Sequence, residues 1–219
     1  MTHYATYSEQ VADTLKQMLL EGRLSPGDRV HETALAEQLG ISRAPIREAL
    51  HMLVTEGLII HRPQRGKFIM TLTPQEICNS YFVGGVLEGA AAAACCRDFD
   101  REDFRRMEEV VAGMRKSVEE NRNMREIAPL DTDFHSIIFS RINNPLLVDI
   151  SRRSCLRISK ILFFRHWLTI YTPMEFYQRH AHLLQVLRRR APGDIETALR
   201  AHYEESGRRL SRFGTPADA

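Results

Sequence analysis

The sequence predicts a mainly α chain in two parts, a small helical unit closed by a β-hairpin and then an all-α antiparallel bundle. Three observations point there. Apolar residues recur at helical spacing through most of the chain, one short apolar stretch folds about the turn Pro63-Gln64-Arg65-Gly66, and Thr73-Pro74-Gln75-Glu76 carries the signal of a new helix start. At 219 residues the chain exceeds the usual size of one domain. The expected division is 1–72, 73–213 and a tail at 214–219.

In the first part, Val11, Leu15, Met18 and Leu19 share one helical face, and that helix should stop near Gly22, before Ser25-Pro26-Gly27-Asp28. A second short helix, Glu32 to Leu39, sets Ala34, Leu35 and Leu39 on one side and ends at Gly40. Ser42 should cap the third helix by accepting a bond from an early amide, with Pro45 tolerated in the first turn. Its buried face reads Ile46, Ala49, Leu50, Leu53 and Val54, which leaves Arg43 and Arg47 together on the outer face. Gly57 ends the helix, and Leu58 to Met70 reads as the hairpin, with a basic tip.

From Gln75 to about Phe213 the pattern is helical, punctuated at Pro129, Asn143-Asn144-Pro145, Thr172-Pro173 and Pro192-Gly193-Asp194. The expectation is a bundle of six or seven helices with neighbours joined by short turns. Gly84 and Gly85 inside a helix cost about 1 kcal/mol each relative to alanine, so they make room for a ligand or a closely packed helix.

Composition excludes a disordered chain: 43% of residues are hydrophobic and 26% charged. Lys plus Arg total 30 against 28 Asp plus Glu, and a balance of +2 names no nucleic-acid or membrane partner by itself. The positive charge is local, since Arg43, Arg47, Arg62, Arg65 and Lys67 face only Glu48 and Glu56 in that stretch. Cys78, Cys95, Cys96 and Cys155 have no C-x-x-C spacing, the start has no apolar signal core, and no run is long enough to span a bilayer. A reduced, cytoplasmic setting with no membrane is expected.

A short helix, a glycine turn and a capped helix that exposes arginines form a helix-turn-helix, whose second helix enters the major groove of double-stranded DNA. An arginine fork can donate to guanine O6 and N7, the basic wing tip with Arg65 adds phosphate or minor-groove attraction, and Ser42 with the amides around Ala44 can hold a phosphate. Exposed arginines that merely solvate a helix give the same spacing.

Farther on, Asp131 and His135 lie four apart on one helix face. His180 joins the apolar stripe of Phe176, Leu183, Leu184 and Leu187, and His202 that of Ile195, Ala198, Leu199 and Ser206. His182 shares its face with Gln178, Gln185 and Arg189 and should point outward. Three imidazoles and one carboxylate suit a divalent transition metal, zinc first, with nickel, cobalt or manganese as alternatives. Buried histidines that only hydrogen-bond a neighbour fit the pattern too.

Several segments carry a resemblance. Leu24 to Val30, Leu35-Ala36-Glu37-Gln38-Leu39-Gly40-Ile41-Ser42-Arg43-Ala44-Pro45-Ile46-Arg47-Glu48-Ala49-Leu50 and Glu56-Gly57-Leu58-Ile59 closely resemble the GntR family of winged-helix regulators, over about sixty residues. Leu130 to His135, Asn144 to Leu147, His180 to Leu184 and Gly193 to Tyr203 look like the FCD ligand domain of its FadR-type subfamily. The resemblance implies operator contacts by Arg43 and Arg47, with Gly66 letting the wing loop approach DNA. It implies a metal held by Asp131, His135, His180 and His202, and a small carboxylate effector touching that metal. Many relatives carry an arginine where this chain has Thr33, and another, gripping the effector, where it has Gly84.

The function expected is thus a homodimeric, non-enzymatic transcription regulator that binds an inverted-repeat operator and answers to an organic acid. Two readings compete with it: a metal-dependent enzyme with Glu88 or His166 as base, and a metal sensor or DNA-binding protein whose ion is only structural.

Overall fold

The structure is a computed structural model that describes residues 6–216; the last three positions of the expected tail lie outside the described residues. The chain forms two compact units. Among the described residues, one holds 6–72 together with Arg157–Arg165, and the other holds Thr73–Leu156 and His166–Pro216.

The first unit opens with α1 (Tyr7–Glu21), capped by Thr6 and Glu9 and stopped by Gly22 at φ +76°. Its apolar face buries Val11, Leu15, Met18 and Leu19. Strand β1 (Arg29–Val30) leads into α2 (Glu32–Leu39), which Gly40 ends in the left-handed conformation. Helix α3 (Arg43–Thr55) follows, then β2 (Ile59–Arg62) and β3 (Gly66–Ile69). The hairpin pairs Arg62 with Gly66 and Ile59 with Ile69, and β1 adds to its other side through Arg29 opposite Phe68. The sheet therefore has three antiparallel strands with β3 in the centre. A strand of two residues has no alternation to read, so β1 left no trace in the pattern.

Ile46, Ala49, Leu50 and Leu53 of α3 pack with Leu15, Leu58, Ile59 and Ile69 in the core of this unit. Each fully buried leucine or isoleucine contributes roughly 1.5–3 kcal/mol, so this face fixes which side of α3 remains outside. Val54, expected in the core, is only half-buried.

The chain after β3 is helical: α4 (Pro74–Ala94), α5 (Arg101–Glu119), α6 (Met124–Phe139), α7 (Pro145–Arg157), the short α8 (Phe164–Trp167) after a π-helical turn at Ile158–Leu162, α9 (Pro173–Arg189) and α10 (Pro192–Ser211). The π turn and the residues around it are the part of the helical region that groups with the first unit. Capping boxes at Thr73, Asp100, Asn123 and Thr172 close the starts of α4, α5, α6 and α9. Pro129, expected between helices, lies inside α6. It stands early in the helix, where losing one amide bond still leaves Phe134, Ile137 and Ile138 fully packed, and that burial outweighs the break.

Helix α4 packs along α10 through glycines. A Cβ on Gly85 would come within 2.8 Å of Tyr203 Cβ and 3.1 Å of Arg200 Cα, and one on Gly207 within 2.7 Å of Tyr81 Cβ. Of the two roles open to Gly85, close helix packing is the one the fold uses.

Candidate DNA interface and candidate metal centre

Helix α3 begins at Ser42, whose backbone has capping geometry but whose hydroxyl makes no capping bond. That corrects the expectation that Ser42 accepts from an early amide. The cause is local: a cap's oxygen commonly takes the amide of the third helical residue, and here that residue is Pro45, which has none. Ser42, Arg43, Ala44 and Arg47 are all exposed at the start of α3. Arg65 is exposed at the wing tip, beside Gln64 at φ +61° and Gly66 at φ +102°. Only a glycine adopts the last value without strain. Thr33, where many relatives have arginine, is exposed on α2.

One carboxylate that the sequence reading passed over sits among these cations. Glu32 accepts a 2.8 Å hydrogen bond from Lys67 and lies 3.6 Å from Arg47 Nε and 3.7 Å from an Arg43 guanidinium nitrogen. The Lys67 bond foremost holds its carboxyl below the usual range.

In the second unit, Asp131 and His135 of α6, His180 of α9 and His202 of α10 each offer a ligand atom, and these atoms lie within 4.8 Å of one another. His135 and His180 are buried, whereas His182 is exposed on the far side of α9. His135 Nδ1 lies 2.8 Å from Glu88 Oε1, and His180 Nδ1 lies 2.8 Å from the carbonyl oxygen of Phe176. A carbonyl or carboxylate oxygen accepts, so each Nδ1 carries the ring proton and each Nε2 a lone pair.

Those lone pairs face Asp131: its Oδ1 is 3.3 Å from His180 Nε2 and 4.0 Å from His135 Nε2. His180 Nε2 is buried and makes no hydrogen bond, the 3.3 Å approach lacking the required geometry. Burial first of all pushes the His180 imidazole below its ordinary value, and pushes His202 well below it, so both stay neutral. The unbonded Nε2 of a neutral His180 beside the Asp131 carboxylate is an acceptor pair that a cation would satisfy. Bonds of about 2.0–2.2 Å allow ligand atoms up to roughly 4.4 Å apart, so small side-chain rotations close the set on one ion.

The surroundings give Glu88, a candidate base in the sequence, a different role, and add Tyr203 and Arg179. Glu88 is fully buried on α4; it accepts from His135 through one oxygen and from the Tyr203 hydroxyl through the other. Burial, then the Glu88 charge, pushes the Tyr203 hydroxyl well above its ordinary value and keeps it a donor. A signal for Glu88 existed, since it shares the helical face of Tyr81, Gly84, Gly85 and Ala92. Arg179 donates to the His202 carbonyl oxygen at 2.7 Å and to Ser206 Oγ at 3.1 Å, with its guanidinium 4.2 Å from the Tyr171 ring centroid. At Gly84 a Cβ would meet Ser154 Oγ at 2.8 Å and Tyr203 at 3.2 Å, so any side chain there must first displace the Ser154 hydroxyl.

Comparison with known proteins agrees with this layout. Residues 7–69 match the gntR family of bacterial regulatory proteins, and residues 80–205 match the FCD domain. The HTH-type transcriptional regulator YdhC of Bacillus subtilis is 30% identical over 63% of this chain and 62% of its own length. The Nta operon transcriptional regulator of Aminobacter aminovorans is 26% identical over 86% of this chain and 87% of its own. Among solved structures, E. coli McbR/YncC shares the fold with a TM-score of 0.69 at 22% identity, over 96% of this chain and 99% of its own. No described helix is long and apolar enough to cross a membrane. The chain therefore belongs to the gntR family of bacterial regulatory proteins, as a member that carries an FCD domain.

Proposed function

We propose that this regulator reads a double-stranded operator through Arg43 and Arg47 and adjusts its occupancy when an organic acid binds beside a divalent metal held by Asp131, His135, His180 and His202. The convergence of four ligand atoms, with His180 Nε2 buried and unbonded, carries the effector half. Three neutral imidazoles and one carboxylate leave a divalent ion with net positive charge, and Arg179 adds a cation a few bonds away, so an anionic ligand is the chemical complement. With nitrogen-rich ligation, zinc is the first candidate, ahead of nickel, cobalt and manganese.

On the DNA side, the exposed Ser42 hydroxyl and the amides near Ala44 hold a phosphate at the start of α3, while Arg65 and Gly66 bring the wing to the backbone. An inverted repeat demands a two-fold dimer. Phe82 and Val83 of α4 and Leu146 and Ile150 of α7 are exposed apolar side chains on helices that touch where Ser151 meets Gly84. A second copy of the chain buries that face. An enzyme reading finds less support, because both Glu88 oxygens are engaged and the relatives above are named as regulators.

The test is a duplex selected by the purified protein from a randomised library. Arg47→Ala should weaken binding to it by about 1–3 kcal/mol without a matching loss on a scrambled duplex. Equal losses on both would assign Arg47 to backbone positioning. Failure to enrich any sequence would remove the operator reading altogether.

A further inference from the structure

Glu32 stands where three elements of the DNA-reading unit meet. It is the first residue of α2, Lys67 comes from the wing strand β3, and Arg43 and Arg47 come from the first turns of α3. The contacts are unequal. Lys67 makes a 2.8 Å charged hydrogen bond and is largely shielded, with 13% of its side chain exposed. Arg43 and Arg47 stay at 3.7 and 3.6 Å, too far for a hydrogen bond, and are 58% and 59% exposed. The lysine is committed, and the arginines are only restrained.

We infer that Glu32 is a specificity-determining positioning residue, which fixes the wing against the recognition helix through Lys67 and holds Arg43 and Arg47 back from indiscriminate phosphate contact. The inference rests on the operator reading proposed above. Phosphate attraction depends on net local charge and carries no sequence information, whereas a guanine edge offers a guanidinium two directed acceptors. A carboxylate within 4 Å of both arginines lowers their gain on any phosphate, and a bidentate base contact overcomes that restraint where a lone phosphate does so poorly. Four charged groups with a net of two positive charges would carry three without Glu32. The unit thus accepts weaker non-specific attraction in exchange for discrimination.

The experiment measures binding of full-length protein to the selected duplex and to a scrambled duplex of equal length, over a range of salt. Glu32→Gln is expected to bind the scrambled duplex more tightly, with a salt slope steeper by about 0.9, and to lose about tenfold in the ratio of selected to scrambled affinity. Glu32→Asp, which keeps the charge, should recover much of that ratio. Lys67→Gln should also lower the ratio but weaken scrambled binding, an opposite sign that a general loss of folding does not produce. Unchanged ratio and slope in Glu32→Gln would overturn the inference, as would equal losses on both duplexes with the slope unaltered. If the wild-type protein enriches no duplex, or Arg47→Ala leaves discrimination intact, it is the operator reading that fails.

Discussion

The two candidate sites of this chain solve opposite electrostatic problems. At the start of α3 the charged groups are exposed and close in sequence, and one carboxylate restrains them. At the histidine cluster the groups come from three helices, are largely buried, and are acceptors facing one another. A surface meant for a polyanion keeps cations solvated and mobile until the partner arrives. A centre suited to a cation fixes lone pairs in advance, as the partners at Nδ1 of His135 and His180 do here.

Removing two ligands should have the largest effect. In His180→Ala/His202→Ala, elemental analysis of untagged protein should find no stoichiometric metal, while binding to a scrambled duplex stays as in wild type. Metal retained at one equivalent per chain would break the assignment of the cluster, and parallel loss of both properties would mean that the two sites are not separate in the way described.

Glu88 sharpens the same contrast one step away from the candidate ligands. Its carboxylate orients His135 and accepts a hydrogen bond from the Tyr203 hydroxyl, but it is not among the four converging ligand groups. Glu88→Gln keeps the shape but removes the charge and replaces one accepting oxygen with a donating amide, so metal affinity should fall about 10–100-fold in a competition titration with a chelating dye. An unaltered affinity would reduce Glu88 to a packing residue.

Acid should separate the sites again. The folded chain holds His180 and His202 below the ordinary imidazole value of 6.5, which the unfolded chain regains. Below that pH the unfolded state binds protons that the folded state refuses, so stability falls as pH drops through 6.5 and continues to fall until the folded values are reached. Each imidazole contributes about 1.4 kcal/mol per pH unit over that interval. Thermal midpoints of metal-free protein from pH 8 to 5 should decline more steeply for wild type than for His180→Gln/His202→Gln. Parallel curves would contradict the burial-driven shift.

Much of this was legible in the sequence, and the gaps have physical causes. The helices of the first unit, its hairpin and the inward placing of His180 over His182 follow from periodicity and from glycines at turns. Strand β1 did not, because two residues exist as a strand only through pairing with Phe68 and Lys67. Pro129 misled because proline marks helix breaks on average, whereas here the packed face of α6 prevails. Glu88, Tyr203 and Glu32 act through partners 47, 115 and 35 positions away, and single-chain spacing carries no record of such pairs. Pro45 is tolerated in its turn, but it also removes the donor that the Ser42 cap needs, a consequence that shows only in the geometry.

That last point gives the smallest effect expected. Thr73 accepts from the amide of Glu76 while the Glu76 carboxylate takes the Thr73 amide, a closed cap at the start of α4. Ser42 stands at the same place on α3 with no such bond. Thr73→Ala should therefore lower unfolding free energy by about 1 kcal/mol, while Ser42→Ala should change it by less than about 0.5 kcal/mol. If the hydroxyl is kept free for a phosphate, Ser42→Ala should weaken binding to selected and scrambled duplexes alike, since a backbone contact reads no sequence. A Ser42→Ala loss as large as that of Thr73→Ala in chemical denaturation would show a working cap, and the contrast between the open start of α3 and the closed starts of α4, α6 and α9 would dissolve.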